Sequence, residues 1–320
     1  MNTILKLIFL VSCVISGYAS ADTVYVSLEK ADAIAVIDGN TGKLNKLVEV
    51  GKRPRGLVLS QDNTRLYVAV SDENVIKIID TATLKILGKL DCDKAKTFAL
   101  SPDGNLLYAT NDGDNQLTVI NIPQGQIIKR IPIAKEAEGV SVSPDGRWII
   151  STSEAENLAE WIDGHALEVV DKTLVDMRPR ASEFTADGKQ LWVTSQNAAD
   201  LSILDVQTRR PLKKIAFSVP GTDPESVKPV GIRIDKQRRF AYVALGRANH
   251  IAVIDAQKLE VIKYLPVGQR VWNLAFSPDQ KKLYAANGLS DEVSFVDLET
   301  HQVINTVAVG KTPWAIVSKP

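Results

Sequence analysis

Few residues in this 320-residue chain have the type and spacing that chemistry requires. The three histidines, His165, His250 and His301, are far apart, and no pair has metal-ligand spacing. No Gly-x-Ser-x-Gly elbow or glycine-rich phosphate loop is present. The two cysteines, Cys13 and Cys92, cannot supply the paired spacing of a zinc or c-type haem site. One series does stand out. Arg55, Lys96, Glu138, Arg180, Val230, Trp272 and Trp314 follow one another at intervals of 41, 42, 42, 50, 42 and 42 residues. Arg and Lys grip carboxylates or phosphates. Indoles stack on planar ligands. Glu138 is the single carboxylate of the series, so it is the one candidate acid or base if the chain is an enzyme. Otherwise no catalytic residue and no metal site is expected.

The elements that must position this series come from a repeat. Val-Ile-Asp-like endings fall at Asp38, Asp80, Asn121, Asp163, Asp205, Asp255 and Asp297. A turn marker keeps pace as SQDN at 60–63, SPDG at 101–104 and 143–146, ADG at 186–188 and SPDQ at 277–280. Between the markers, runs such as Leu66-Tyr67-Val68-Ala69-Val70 alternate with period two and are rich in β-branched and aromatic residues, which predicts strands. Each unit therefore holds four strands, the pattern of a propeller blade. Residues 23–51 supply only three strands of a blade, and Lys311 to Pro320 supply only a first strand. The two fragments complete one another. The expected fold is an all-β, seven-bladed β-propeller of four-stranded antiparallel blades, its ring closed by a C-terminal strand that completes the N-terminal blade.

The repeat also sorts the residues. The aspartates recur in nearly every blade, as turn-forming Asx residues should. The seven positions of the series differ from blade to blade, open the inner strands and are expected to ring one mouth of the central channel. The alternative is a solvated mouth with ordinary variation. Loops on the same face read as irregular and acidic, with Asp72, Glu73, Asp112, Asp114, Glu154, Glu156, Asp291 and Glu292. The 50-residue interval marks an insertion, 217–228 (FSVPGTDPESVK), which reads as an extended loop overhanging this face.

These residues resemble the YVTN-repeat propellers, named for the second-strand pattern that appears here as LYVAV (66–70), LYATN (107–111), LWVTS (191–195) and LYAAN (283–287). Within that family the chain is most similar to the periplasmic propellers associated with PQQ-dependent (quinoprotein) alcohol catabolism. The resemblance implies an accessory to a quinoprotein oxidation system, a periplasmic quinoprotein dehydrogenase or cytochrome as partner, and PQQ or a related planar anion as a conceivable ligand. Asp38-Gly39-Asn40-Thr41-Gly42-Lys43 resembles the start of a tryptophan-docking repeat, but the Trp is missing. The chain is therefore not expected to be a PQQ dehydrogenase itself.

Composition bounds the rest. Lys plus Arg and Asp plus Glu are both 38, which argues against a general nucleic-acid or membrane-surface binder. Residues 1–21 read as a signal peptide: Lys6, an apolar run from Leu7 to Ile15, then Ala19-Ser20-Ala21 before the cut. Residues 22–320 are the expected mature, single propeller domain, periplasmic and without a transmembrane segment. A lipoprotein anchored through Cys13 is the alternative. The leading expectation is a non-enzymatic propeller that binds a protein partner or planar anionic ligand at one channel mouth through Arg55, Lys96, Glu138, Arg180, Trp272 and Trp314. A lactonase-like hydrolase and a cell-surface recognition module remain open.

Overall fold

A computed structural model describes residues 22–111 and 113–320. The leader reading, its lipid-anchored alternative at Cys13, and Asp112 lie outside the described residues. The described residues form seven four-stranded antiparallel sheets. The innermost strands are Pro54–Leu59, Ala95–Leu100, Ala137–Val142, Pro179–Phe184, Ile232–Ile234, Val271–Phe276 and Pro313–Lys319. Each is followed by its three blade partners, except the last. Pro313–Lys319 pairs with Thr23–Leu28, with Thr23 opposite Lys319, and so completes blade 1. Blades 2 to 7 then follow in chain order from residue 54. All seven sheets are the four-stranded antiparallel blades that the repeat predicts.

Sequence determines the blades locally. On one face, Asp103, Asp145 and Asp187 accept the amides of Asn105, Arg147 and Lys189, closing the first turn of blades 3, 4 and 5. Gly104, Gly146 and Gly188 take positive φ there, and Asn63, Arg238 and Gln280 take it in blades 2, 6 and 7. The third-strand aspartates accept the amides two or three residues ahead, as Asp38 does from Asn40 and Thr41. The core lies between blades. Trp192, Leu201 and Ile203 of blade 5 pack on Ile232, Ala241 and Ile254 of blade 6, for example. Each fully buried side chain of this kind contributes about 1.5–3 kcal/mol.

The insertion differs from expectation. Phe217, Val219 and Val227 are buried in the same cluster between blades 5 and 6. Their apolar side chains seat the segment, so it is a wedge at this seam rather than a free overhang. Cys92 is buried as well, and desolvation pushes its thiol up to about 12. That fits a packing residue. His301 is half-buried, with Nε2 3.1 Å from the Tyr242 hydroxyl and its ring edge-on to Phe240.

Candidate functional site

The seven positions of the series lie at the starts of the seven inner strands, six as the second strand residue and Val230 just ahead of its strand. At six of them the backbone carbonyl is held from the preceding blade. Ser27 Oγ donates to the Arg55 carbonyl at 2.6 Å, and Thr110 Oγ1 donates to that of Glu138 at 3.1 Å. Thr152 serves Arg180 at 2.8 Å, and Thr194 serves Val230 at 2.7 Å. The Gly231 amide and the Asn273 side chain do the same for Trp272 and Trp314. The threonine of the second-strand signature is thus a seam residue that pins the next blade's mouth position. Gly139 shows how close the seam is: a Cβ there would meet the Arg180 carbonyl oxygen at 2.2 Å.

The ring encloses a cavity of about 170 Å³ bordered by Glu138, Arg180, Val230, Trp272 and Trp314. Arg55 and Lys96 turn instead toward carboxylates. Arg55 Nε lies 3.0 Å from Glu29, and Lys96 Nζ contacts Glu138 Oε2. Glu138 is 4% exposed and also takes Arg180 at 2.7 Å. Burial alone would raise its carboxyl, but the Arg180 and Lys96 charges outweigh it and hold the group below the usual carboxylate range. Arg180 also contacts Glu154, whose Oε2 meets Arg178 at 2.9 Å. Burial raises the Glu154 carboxyl, as does Glu138, while Arg180 opposes the rise. Both oxygens of Glu138 are therefore committed to cations. The indoles are committed too. Arg270 lies 4.7 Å and Arg180 5.7 Å from the Trp272 ring centre, and Trp314 is buried against blades 1 and 2.

A second circle, which the sequence reading missed, lies two residues ahead of the first. It comprises Arg53, Lys94, Glu136, Arg178, Lys228, Arg270 and Thr312. All but Lys228 adopt positive φ, between 43° and 61°. The strain is held by a tie from the loop after the second strand of the blade just left. Asp32, Asn74, Asn157, Asn249 and Asp291 accept the amides of Arg53, Lys94, Arg178, Arg270 and Thr312 at 2.8–3.1 Å. These loops read as irregular in sequence because their side chains vary, yet their backbone repeats. Several of the acidic residues assigned to them are engaged, as when Glu73 pairs with Lys77 at 2.8 Å and Glu156 accepts the Lys135 amide. In blade 5 the tying position is Ala199, which has no side-chain acceptor, and the inserted wedge follows.

Beside the channel at this altered seam is a further cavity of about 270 Å³. Arg178, Arg180, Lys228, Arg247, Arg270, Trp272, Gln196 and Gly246 border it, and no carboxylate does. Among the described residues, Arg247 and Arg270 have no ion-pair partner. Burial and then the charges of Arg247 and Arg180 push the Arg270 guanidinium below its ordinary value. The mouth is thus lopsided. Arg53, Arg55, Lys96, Arg178 and Arg180 on the blade 2 to 5 side are matched by Glu29, Glu138 and Glu154, whereas Arg247 and Arg270 on the blade 6 and 7 side have no such carboxylate. No group of three or more metal-ligating side chains occurs among the described residues, and no helix there is long and apolar enough to cross a membrane.

Relatives share this architecture. The uncharacterized protein YncE of Salmonella typhi is 31% identical over 184 residues, 55% of this chain and 52% of that protein. The chain thus spans about half the length of the curated relatives it matches. A functionally unknown protein from Desulfotomaculum acetoxidans superposes with a TM-score of 0.79 over 92% of this chain and 98% of that one, at 17% identity. A putative 6-phosphogluconolactonase from Bacteroides uniformis superposes at 0.78 over 93% and 99%, at 14% identity. At such identities the two structures share the fold alone with this chain. The choice-of-anchor I domain profile matches residues 116–283. That match covers more than half of the sequence, and the chain belongs to the choice-of-anchor I domain family.

Proposed function

We propose that the chain is a non-enzymatic binding propeller whose mouth face receives a protein partner or an anionic ligand, as an accessory to a quinoprotein oxidation system in the periplasm. One observation carries the binding reading. The backbone at the mouth is fixed by a hydroxyl contact at four of the seams, yet the side chains it presents range over Arg, Lys, Glu, Val and Trp and gather unmatched cations on one side. Rigid scaffolds that vary only at one face use that face for recognition. The quinoprotein setting rests on the repeat resemblance, and a basic mouth suits a polycarboxylate such as PQQ. The engaged indoles argue against simple stacking and in favour of recognition through acid groups.

Glu138 does not favour the lactonase reading. A general acid or base needs a proton or a lone pair to exchange near neutral pH, and this carboxylate is ionised and held by Lys96 and Arg180. The test is titration of the purified chain with PQQ, and separately with a purified quinoprotein alcohol dehydrogenase, followed by calorimetry and tryptophan fluorescence. Binding should weaken in Arg180→Ala and Trp272→Ala. No binding to either probe, or binding that both variants leave unchanged, removes the proposal.

A further inference from the structure

The repeat supplies a standard against which the basic cavity can be read. In blade 1 the residue after the second strand is Glu29, and it takes both Arg53 and Arg55, at 3.1 and 3.0 Å. In blade 4 the equivalent residue is Glu154, and it takes both Arg178 and Arg180. Two mouths of the same design therefore place one carboxylate between an outer-circle cation and an inner-circle one. In sequence the same position is Gln196 in blade 5 and Gly246 in blade 6. The cations it should serve, Lys228 and Arg270, remain. Arg247 adds a third beside them. The result is a cavity at the place where blades 1 and 4 hold a carboxylate, lined here by cations and by no acid. Gly246 is required by the close approach of the Lys228 backbone: a Cβ there would meet the Lys228 carbonyl oxygen at 2.6 Å, and its φ is 55°.

We infer that this cavity, lined by Arg178, Lys228, Arg247, Arg270 and Gln196, binds a small polycarboxylate, with one ligand carboxylate taking the place that Glu29 and Glu154 occupy in their own seams. The inference rests on the mouth face being a binding face and names the ligand class and the pocket. Guanidinium forks match carboxylate geometry in pairs. Two unmatched arginines call for at least two negative charges. The Lys228–Glu225 pair is long, at 3.8 Å, and Glu225 is almost fully exposed, so Lys228 is available to a ligand as well.

Citrate, succinate and inorganic phosphate, titrated separately by calorimetry at fixed ionic strength, test this. Saturable binding of citrate or succinate, tighter than phosphate, is expected. Arg270→Ala should weaken it about tenfold or more. Gln196→Glu should do the same by filling the pocket with a built-in carboxylate, although it removes no cation and barely changes volume. Lys46→Ala, exposed on the outer strand of blade 1 and away from the mouth, should leave it unchanged. Circular dichroism confirms that each variant folds. No saturable citrate or succinate binding, tighter binding of phosphate, or an affinity that survives both Arg270→Ala and Gln196→Glu overturns the inference. Carboxylate binding of the expected pattern, together with no response to PQQ or the dehydrogenase, would uphold the pocket and sink the quinoprotein proposal.

Discussion

Asp200 offers a sharp test of the electrostatics. It opens the third strand of blade 5, and its side chain is 6% exposed. Its neighbours are Asp176, Ser195 and the Lys214 ammonium, which contacts Asp176 and lies 3.9 Å from Asp200. Burial, then the Asp176 carboxyl, moves Asp200 from 3.8 to about 7 against the pull of Lys214. In the unfolded chain the proton leaves at about pH 4, while the folded chain keeps it until about pH 7. The folded state thus binds more protons between those limits. Stability falls as pH rises through that window and levels off above it. A displacement of this size corresponds to about 4 kcal/mol between the two protonation forms. Water reaches the pair around Lys214, which is more than half exposed, so about 2 kcal/mol is the expected effect. Asp200→Asn has no proton to lose. Urea unfolding at about pH 5 and about pH 8 should show the variant gaining about 1 kcal/mol on the wild type between the two, because part of the window lies below pH 5. An equal stability difference at both pH values refutes the argument.

Other expectations concern the seams and the mouth. Gly139→Ala should cost about 2 kcal/mol in urea unfolding, because its methyl meets the Arg180 carbonyl and neither inner strand can yield freely. Thr194→Val removes the hydroxyl that donates to Val230 and accepts from Ala181, so a loss of about 2 kcal/mol is expected by the same measurement. Glu138→Gln should lower stability by about 3 kcal/mol, since it leaves the Lys96 and Arg180 charges without their shared carboxylate. An unchanged unfolding midpoint would mean that the pairing contributes nothing. Cys92 should resist thiol reagents in the folded chain and react once urea unfolds it.

The fold was legible because its signals are periodic and local. Turn aspartates, alternating strands and two incomplete ends left one arrangement, and the pairing of Thr23–Leu28 with Pro313–Lys319 followed from them. The inner ring was legible for the same reason, as seven repeating positions at which the residue type varies. What the sequence could not display was partnership. Arg55, Lys96 and Arg180 read as available cations, yet Glu29, Glu138 and Glu154 reach them across seams that one-dimensional spacing does not encode. The outer circle had a signal, two residues ahead of each ring position, but its constancy lies in backbone angle rather than residue type. The insertion read as a loop because Pro and Gly mark turns. Phe217, Val219 and Val227, at alternate or distant positions, gave no period to announce their burial.

The pairing of Thr23–Leu28 with Pro313–Lys319 has a consequence for how the chain comes into being. The first strand cannot acquire its inner neighbour until the chain has been made as far as Lys319, because Thr23 faces it. At 5–20 residues per second, synthesis of the intervening stretch takes about 15–60 s. Blades 2 to 7 contain all four of their own strands and can form in order as they appear, but blade 1 waits as a three-stranded fragment. Contacts of such long sequence separation are also the slowest to find one another. The nascent chain therefore passes through a stage in which six blades are whole and one remains open, and a holdase that pairs with extended segments would find its target at that gap.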